Sequence, residues 1–187
     1  LIAKKILDQS IEALINKHVI LYPTDTVWGL GCDATNIGAV AKIFKLKNRV
    51  ESKSLVVLVS SIEMLCSYVH RVPQKAIDII STTKKPTTII YKNPKGLAAN
   101  AIASDNTIAI RIPSHDYCLE IINKFGKPII STSANISGES TPKSFSEISL
   151  PILEGVDYVV NLEQDKITDK SSTILKLVGN DIEVIRA

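Results

Sequence analysis

The chain has 187 residues, 45% of them hydrophobic, which is enough for one core without disulfide or metal staples. Aromatics make up only 5%, so packing rests on Ile, Leu and Val, as in strands buried on both faces. A net charge of +3, from 22 basic and 19 acidic residues, is too mild to require nucleic acid and does not repel an anion.

From about Ile2 to Asn16, Ile6/Leu7, Ile11 and Leu14/Ile15 share one face, which predicts an amphipathic helix. Val19–Tyr22 reads as a strand that breaks at Pro23. Asn36 is placed to cap a helix whose apolar face is Val40, Ile43 and Phe44. Leu55–Val59 is a pure aliphatic run and predicts a central strand. Ser61 opens a short helix, and Pro73 stands at the first position of another that runs to about Ser81. Thr87–Tyr91 and Thr107–Arg111 are β-branched and apolar, hence strands. Ser114 is placed to cap a helix that ends at Gly126, and Pro128–Ser131 is the next strand. Ser144 and Glu147 have capping-box spacing before a short helix disturbed by Pro151. Tyr158–Leu162 and Ser172–Leu177 are late strands, and Gly179-Asn180 turns the chain into Ile182–Arg186 as a hairpin. Helices and strands interleave too irregularly for a βαβ repeat. The expected architecture is therefore α/β (α+β-like): one open twisted mixed sheet with helices on its faces, and a single domain over residues 1–187.

Cys32, Cys66 and Cys118 are odd in number and widely spaced, with no C-x-x-C or H-E-x-x-H pattern. Neither a disulfide framework nor a zinc site is expected. Reduced thiols, the lack of a leader pattern and the lack of an apolar run of about 18 residues lead to an expectation of a cytoplasmic protein with no membrane partner. Leu1 is not an initiator, so residues are expected ahead of it.

Three stretches carry chemistry. Tyr22-Pro23-Thr24-Asp25-Thr26-Val27-Trp28-Gly29-Leu30-Gly31 puts hydroxyls, an acid and glycines at a strand end, where another molecule can approach. Lys47-Asn48-Arg49 follows a helix, where its cations either complement the dipole of a solvated helix end or, in extended chain, point the same way toward a polyphosphate. Ser131-Thr132-Ser133-Ala134-Asn135-Ile136-Ser137-Gly138 crowds hydroxyls and an amide after an aliphatic strand, as either an ordinary Ser/Asn turn or a site that bonds phosphate oxygens, a ribose or a carboxylate. Arg111 ends a buried strand with a charge, which calls for a structural or a ligand partner. Gly29-Leu30-Gly31-Cys32-Asp33-Ala34 fits a dinucleotide fingerprint in letters but lacks its strand–turn–helix context. His18, His70 and His115 are scattered, so a covalent triad has no support.

These stretches, with Ile110-Arg111-Ile112-Pro113, Ser172-Thr173 and Ile185-Arg186, occur in the order found in the YrdC-like family, and the chain resembles that family along nearly its whole length. The resemblance implies a YrdC-like open sheet with a concave basic surface. It implies L-threonylcarbamoyladenylate synthase activity, a nucleotidyl transfer that uses L-threonine, bicarbonate or CO2, and ATP with Mg2+. The product, threonylcarbamoyl-AMP, serves N6-threonylcarbamoylation of adenosine 37 of tRNA through a downstream transfer protein. Carried over by position, Thr26, Arg111, Ser131 and Ser172 surround threonine. Arg49, Lys53, Thr107, Ser133, Thr141 and Arg186 hold ATP, and Lys47, Arg49, Ser133 and Asn135 form the catalytic tetrad. No dedicated metal cage is expected, since no carboxylate cluster is present. Trp28 stands where Tyr is commoner, Leu58 where many members carry His, and Lys84-Lys85-Pro86 where a Pro-Gly-Pro-like approach is usual. The chain's end near Arg186 implies the short form, without the extra domain of longer members. The alternatives are a non-catalytic module that binds double-stranded RNA or tRNA, and a carbamoyl-phosphate-using relative.

Overall fold

The computed structural model describes residues 4–49, 55–179 and 181–187. The elements are α1 (Lys4–Ile15), β1 (Ile20–Tyr22), β2 (Gly29–Gly31), α2 (Ile37–Leu46), β3 (Val56–Leu58), α3 (Ile62–Tyr68), α4 (Gln74–Thr82) and β4 (Thr87–Lys92). They continue with β5 (Thr107–Arg111), α5 (Asp116–Phe125), β6 (Ile129–Ser133), α6 (Leu150–Gly155), β7 (Tyr158–Val159), β8 (Thr173–Val178) and β9 (Asp181–Arg186). Among the described residues the strands form one mixed sheet in the order β7-β1-β2-β6-β3-β5-β4-β8-β9. The pairs β1/β7, β3/β5 and β4/β8 are parallel and the others antiparallel, with the aliphatic β3 at the centre as its sequence predicts.

The two faces of this sheet are covered unequally, and that creates the site. Side chains alternate between faces along each strand. On one face Leu21, Leu30, Ile130, Val57, Ile110, Ile89 and Leu175 join a continuous core with Val40, Ile43 and Phe44 of α2, Leu65 of α3, Ala76 of α4 and Ile152 of α6. Burying each Val, Leu, Ile or Phe among them contributes roughly 1.5–3 kcal/mol. On the other face Ile20, Tyr22, Leu58 and Ile129 pack under Leu7 and Leu14 of α1 and Tyr117, Ile121 and Ile122 of α5. Tyr117 joins the two helices by donating to Ser10 Oγ at 2.8 Å. The neighbouring stretch of that face carries Ser131, Val56, Arg111, Thr88 and Ile174, which line a cavity.

Local chemistry explains most boundaries. Asn36 caps α2 by accepting from the Ala39 N–H at 2.9 Å, and Ser61 caps α3 by accepting from Met64 N–H at 3.1 Å. Gly126 ends α5 at φ 74°, where its missing Cβ removes the penalty of left-handed backbone. Pro73 sits one position earlier than expected, as the cap residue of α4. Ser114 does not cap α5. Its N–H and hydroxyl are both given to Asp25 Oδ2, at 3.1 and 3.3 Å, and His115 takes the cap position. The Ser144/Glu147 box does not form either. The Glu147 carboxylate accepts from Lys143 N–H at 2.8 Å, and Ser144 bonds Ser146. Pro151 lies in the first turn of α6, where no N–H is required, so it starts the helix rather than disturbing it. Asn180, in the expected β8–β9 turn, lies outside the described residues.

β2 escaped the sequence because Gly-Leu-Gly has no β-branched residue. Its glycines divide the expected role. Gly29 lines the cavity, whereas Gly31 admits a neighbour from within the protein. A Cβ at residue 31 would lie 2.6 Å from Tyr22 Cε1 and 2.8 Å from the Ile130 carbonyl oxygen. That ring is itself fixed, since Tyr22 donates to the Ile130 carbonyl at 3.1 Å. Gly31→Ala is therefore expected to lower stability by about 1–3 kcal/mol. Gly29→Ala, whose nearest neighbours stand at 3.4–3.5 Å, is expected to cost less. Urea unfolding midpoints of the two variants check the order.

Candidate active site

The cavity, about 380 Å³, opens on the half-covered sheet face. Its floor is β6 and β3, and its walls are the Thr26–Gly29 segment, Arg49, the Ser172 region and Arg186. Arg49, Arg111, Lys143, Lys170 and Arg186 line it, with Asp169 as the acid among the described lining residues. The hollow is thus basic, and its size falls in the range of small-molecule sites.

Arg49 reaches the cavity because of how α2 ends. Lys47 is the cap residue, Asn48 turns left-handed at φ 52°, and Arg49 N–H returns to the Phe44 carbonyl at 2.9 Å while Asn48 N–H bonds Lys45 O at 3.1 Å. This is a Schellman motif with Asn in the glycine position. It also corrects the expectation that Lys47 and Arg49 aim together. The segment is not extended, so its spacing does not align the two side chains, and only Arg49 lines the cavity. Lys47 is 1% exposed and does not line the cavity. Its ammonium donates to the carbonyls of Ser133 and of Asn135, the latter at 2.6 Å. Its own carbonyl accepts from Ser137 N–H at 2.8 Å. Asn135 likewise braces its own loop, donating to the Ile136 and Glu139 carbonyls at 3.0 and 2.9 Å, and it is not a lining residue. The four-residue constellation therefore splits: Arg49 and Ser133 face the cavity, while Lys47 and Asn135 hold the loop that presents Ser133.

All four positions expected around the amino acid, Thr26, Arg111, Ser131 and Ser172, line the cavity. Arg111 is ion-paired to Asp25 and also donates to Thr26 Oγ1 at 3.4 Å. Ser172 accepts from Thr88 Oγ1 at 2.9 Å, and its carbonyl accepts from Arg186 at 2.8 and 3.0 Å. Of the positions expected around ATP, Arg49, Ser133, Thr141 and Arg186 line the cavity. Thr107 does not. It begins β5, four residues before Arg111 and hence about 13 Å along the strand, and its hydroxyl donates to Asp105 at 2.6 Å. Lys53 lies outside the described residues. Leu58 is fully buried beneath α5, so the sheet face there is closed by packing and offers no polar contact.

Sequence reasoning gave no role to Asp25, Lys143, Asp169 or Lys170. Asp25 stood inside a quoted motif. The other three come from chain without periodic pattern, drawn over the cavity by the bond of Thr168 Oγ1 to the Thr26 carbonyl and of Thr168 N–H to the Lys143 carbonyl. The Glu163 carboxylate anchors the same segment to His115 at 3.3 Å and to Lys166 at 2.8 Å. Those bonds hold the Glu163 carboxyl below its ordinary range against the opposing effect of burial. Trp28 closes one wall and tilts against Phe145 at 5.0 Å. Among the described residues no group of three or more His, Cys, Asp or Glu could hold a metal ion.

Residues 12–187 match the Sua5/YciO/YrdC family, described as "Telomere recombination". The chain belongs to this family. A threonylcarbamoyl-AMP synthase of Pseudoalteromonas translucida is 34% identical over 155 residues, which cover 81% of this chain and 83% of that protein. P. abyssi Sua5 complexed with L-threonine has the same fold at a TM-score of 0.88 and 24% identity, over 96% of this chain and 53% of that one. This chain thus spans about half the length of that relative. E. coli YciO matches at a TM-score of 0.85 and 23% identity, over 97% of this chain and 88% of that one. The YrdC-like fold expected from the motifs is the fold observed. Among the described residues no helix is long and apolar enough to cross a membrane.

The buried ammonium in this YrdC-like frame has a pH signature. Burial, with Arg49 nearby, lowers Lys47 from an ordinary 10.5 to about 8. Between those values the unfolded chain keeps the proton that the folded chain gives up. The unfolded state then binds more protons, and this group's contribution to stability rises with pH. The stability difference between the wild type and Lys47→Met is expected to shift in favour of the wild type from pH 8 to 10.5. Paired urea titrations across that interval measure it.

Proposed function

We propose that this chain is an L-threonylcarbamoyladenylate synthase. The observation that carries the reading is the meeting of Arg49 and Arg111 with the hydroxyls of Ser131, Ser133 and Ser172 around one cavity. Its 34% identity to a named threonylcarbamoyl-AMP synthase supports the choice of reaction. In this reading Arg111 takes the α-carboxylate of L-threonine, since its planar fork matches a carboxylate. Thr26, Ser131 and Ser172 orient the amino acid. Arg49 and Arg186 lie against the ATP phosphates, with Ser133 bonding a phosphate oxygen and Thr141 at the nucleotide's edge.

The amine attacks CO2 and loses a proton, giving a carbamate. A carbamate oxygen then attacks the α-phosphorus in line, and the bond to the pyrophosphate oxygen breaks. No protein nucleophile is needed, in keeping with the scattered histidines. Catalysis is positioning plus stabilisation of charge on the transferring group. Mg2+ enters with ATP as part of the substrate. Lys47 and Asn135 act one step removed, by fixing the loop that carries Ser133. Threonylcarbamoyl-AMP then leaves for a transfer protein acting on tRNA.

Incubation with ATP, bicarbonate and L-threonine is expected to release pyrophosphate and to give threonylcarbamoyl-AMP by mass spectrometry, with serine and glycine as weaker substrates. Arg49→Ala is expected to lower turnover by at least ~10²-fold, as for loss of one preorganised charge-stabilising donor. Salt-dependent RNA affinity without threonine-dependent pyrophosphate would instead identify a binding module.

A further inference from the structure

We infer that Asp25 is the positioning residue of the amino-acid subsite, holding the Arg111 guanidinium from behind so that its free edge meets the substrate carboxylate. The inference rests on the proposed reading of Arg111 as the carboxylate clamp.

Asp25 and Arg111 form a buried ion pair, with side chains 7% and 4% exposed. They nonetheless belong to different hollows. Arg111 lines the main cavity, with Thr26 and Thr88. Asp25 lines a second hollow of about 240 Å³, with Thr87, Pro113 and Ser114. The pair therefore spans the wall between them, and Asp25 touches only the far side. Asp25 and Thr26 stand in the bend between β1 and β2, and there they serve opposite sides of one wall.

Both carboxylate oxygens are used. Oδ1 accepts from Arg111 Nη1. Oδ2 accepts from Ser114 N–H and Oγ, at 3.1 and 3.3 Å, and so is fixed to the start of α5. On the cavity side Arg111 Nη2 meets Thr26 Oγ1, which in turn lies 3.0 Å from Thr24 Oγ1. The guanidinium is thus fixed at one nitrogen by charge and at the other by a hydroxyl. Asp25 contacts it through a single oxygen, and a guanidinium has five N–H donors, so donors remain for an anion arriving from the cavity. Without the carboxylate, a buried cation on a long flexible stem keeps the Thr26 hydroxyl but loses its counter-charge, and one hydroxyl does not set the geometry of its fork.

A structural ion pair alone would affect folding and leave ligand selectivity untouched. The test separates the two roles by calorimetric titration and steady-state kinetics with L-threonine, L-threoninamide and ATP. Asp25→Asn removes the charge at nearly constant shape. Asp25→Glu keeps the charge and moves the oxygens by one methylene. Both are expected to weaken L-threonine by ~10-fold or more while ATP changes by less than ~2-fold, the size expected for one charge-assisted contact. Both are also expected to narrow the preference for threonine over its amide, because that preference reads the carboxylate contact itself. An Asp25→Glu protein with wild-type threonine affinity overturns the inference, as do equal losses for threonine and ATP or an unchanged acid-to-amide preference. Should Asp25→Asn fail to fold, Asp25→Glu decides alone. A wild type that binds threonine but releases no pyrophosphate sinks the proposed reaction, and the binding series still decides the role of Asp25. A wild type that binds no threonine overturns both.

Discussion

A single buried ammonium joins the two halves of the cavity. Lys47 caps α2, and its side chain crosses to the end of β6, where it bonds the carbonyls of Ser133 and Asn135. Arg49 on one side and Ser133 on the other thus share one anchor. Placing a cation there carries a desolvation cost, offset by charge-assisted bonds to two carbonyls, of which that of Ser133 also accepts from the Asn135 N–H at 2.9 Å. The arrangement turns a helix end and a strand end, far apart in sequence, into one rigid corner.

The rest of the site follows from uneven cover. One sheet face is sealed by α2, α3, α4 and α6, while the other is sealed by α1 and α5 over only part of its width. Where helices are missing, outward positions on β6, β5 and β4 carry Ser131, Ser133, Arg111 and Thr88 in place of large aliphatics, with Val56 of β3 and Ile174 of β8 as apolar neighbours. The polar residues at these strand positions are the reason no helix packs there. A buried hydroxyl or guanidinium against an apolar helix would go unsatisfied, whereas a polar ligand or water satisfies it.

Much of this was legible in the sequence. Strands built from β-branched runs, such as Thr107–Arg111, and helices with side-chain caps, such as that of Asn36, emerged because their signals are local. So did most residues of the cavity wall, since hydroxyls and cations at strand ends have few structural uses. What stayed hidden depends on long-range partners. Ser114 has the chemistry of a helix cap, but Asp25, 89 positions away, claims it first. Lys47 looks like a phosphate ligand until the Ser133 and Asn135 carbonyls, 86 and 88 positions away, claim its ammonium. Gly31 looks like a ligand-facing glycine until the Ile130 carbonyl, far along the chain, and the Tyr22 ring bonded to it are seen against it. In each case the local rule held, and a contact distant in sequence decided which of two local outcomes won.

The attachment of Arg186 has a kinetic consequence. Arg186 and Ser172 belong to the β8–β9 hairpin region, and β9 is an edge strand with mostly solvent-facing side chains. Segments with little buried apolar surface open at a small fraction of the global unfolding free energy. Fraying of β9 would release Arg186 from the wall, while Ser172, bonded to Thr88 beside the core strand β8, and Arg49 and Arg111, tied to α2 and to the sheet interior, stay in place. The protein is thus built with one hard jaw and one soft jaw, and traffic through the hollow would be gated at the soft one.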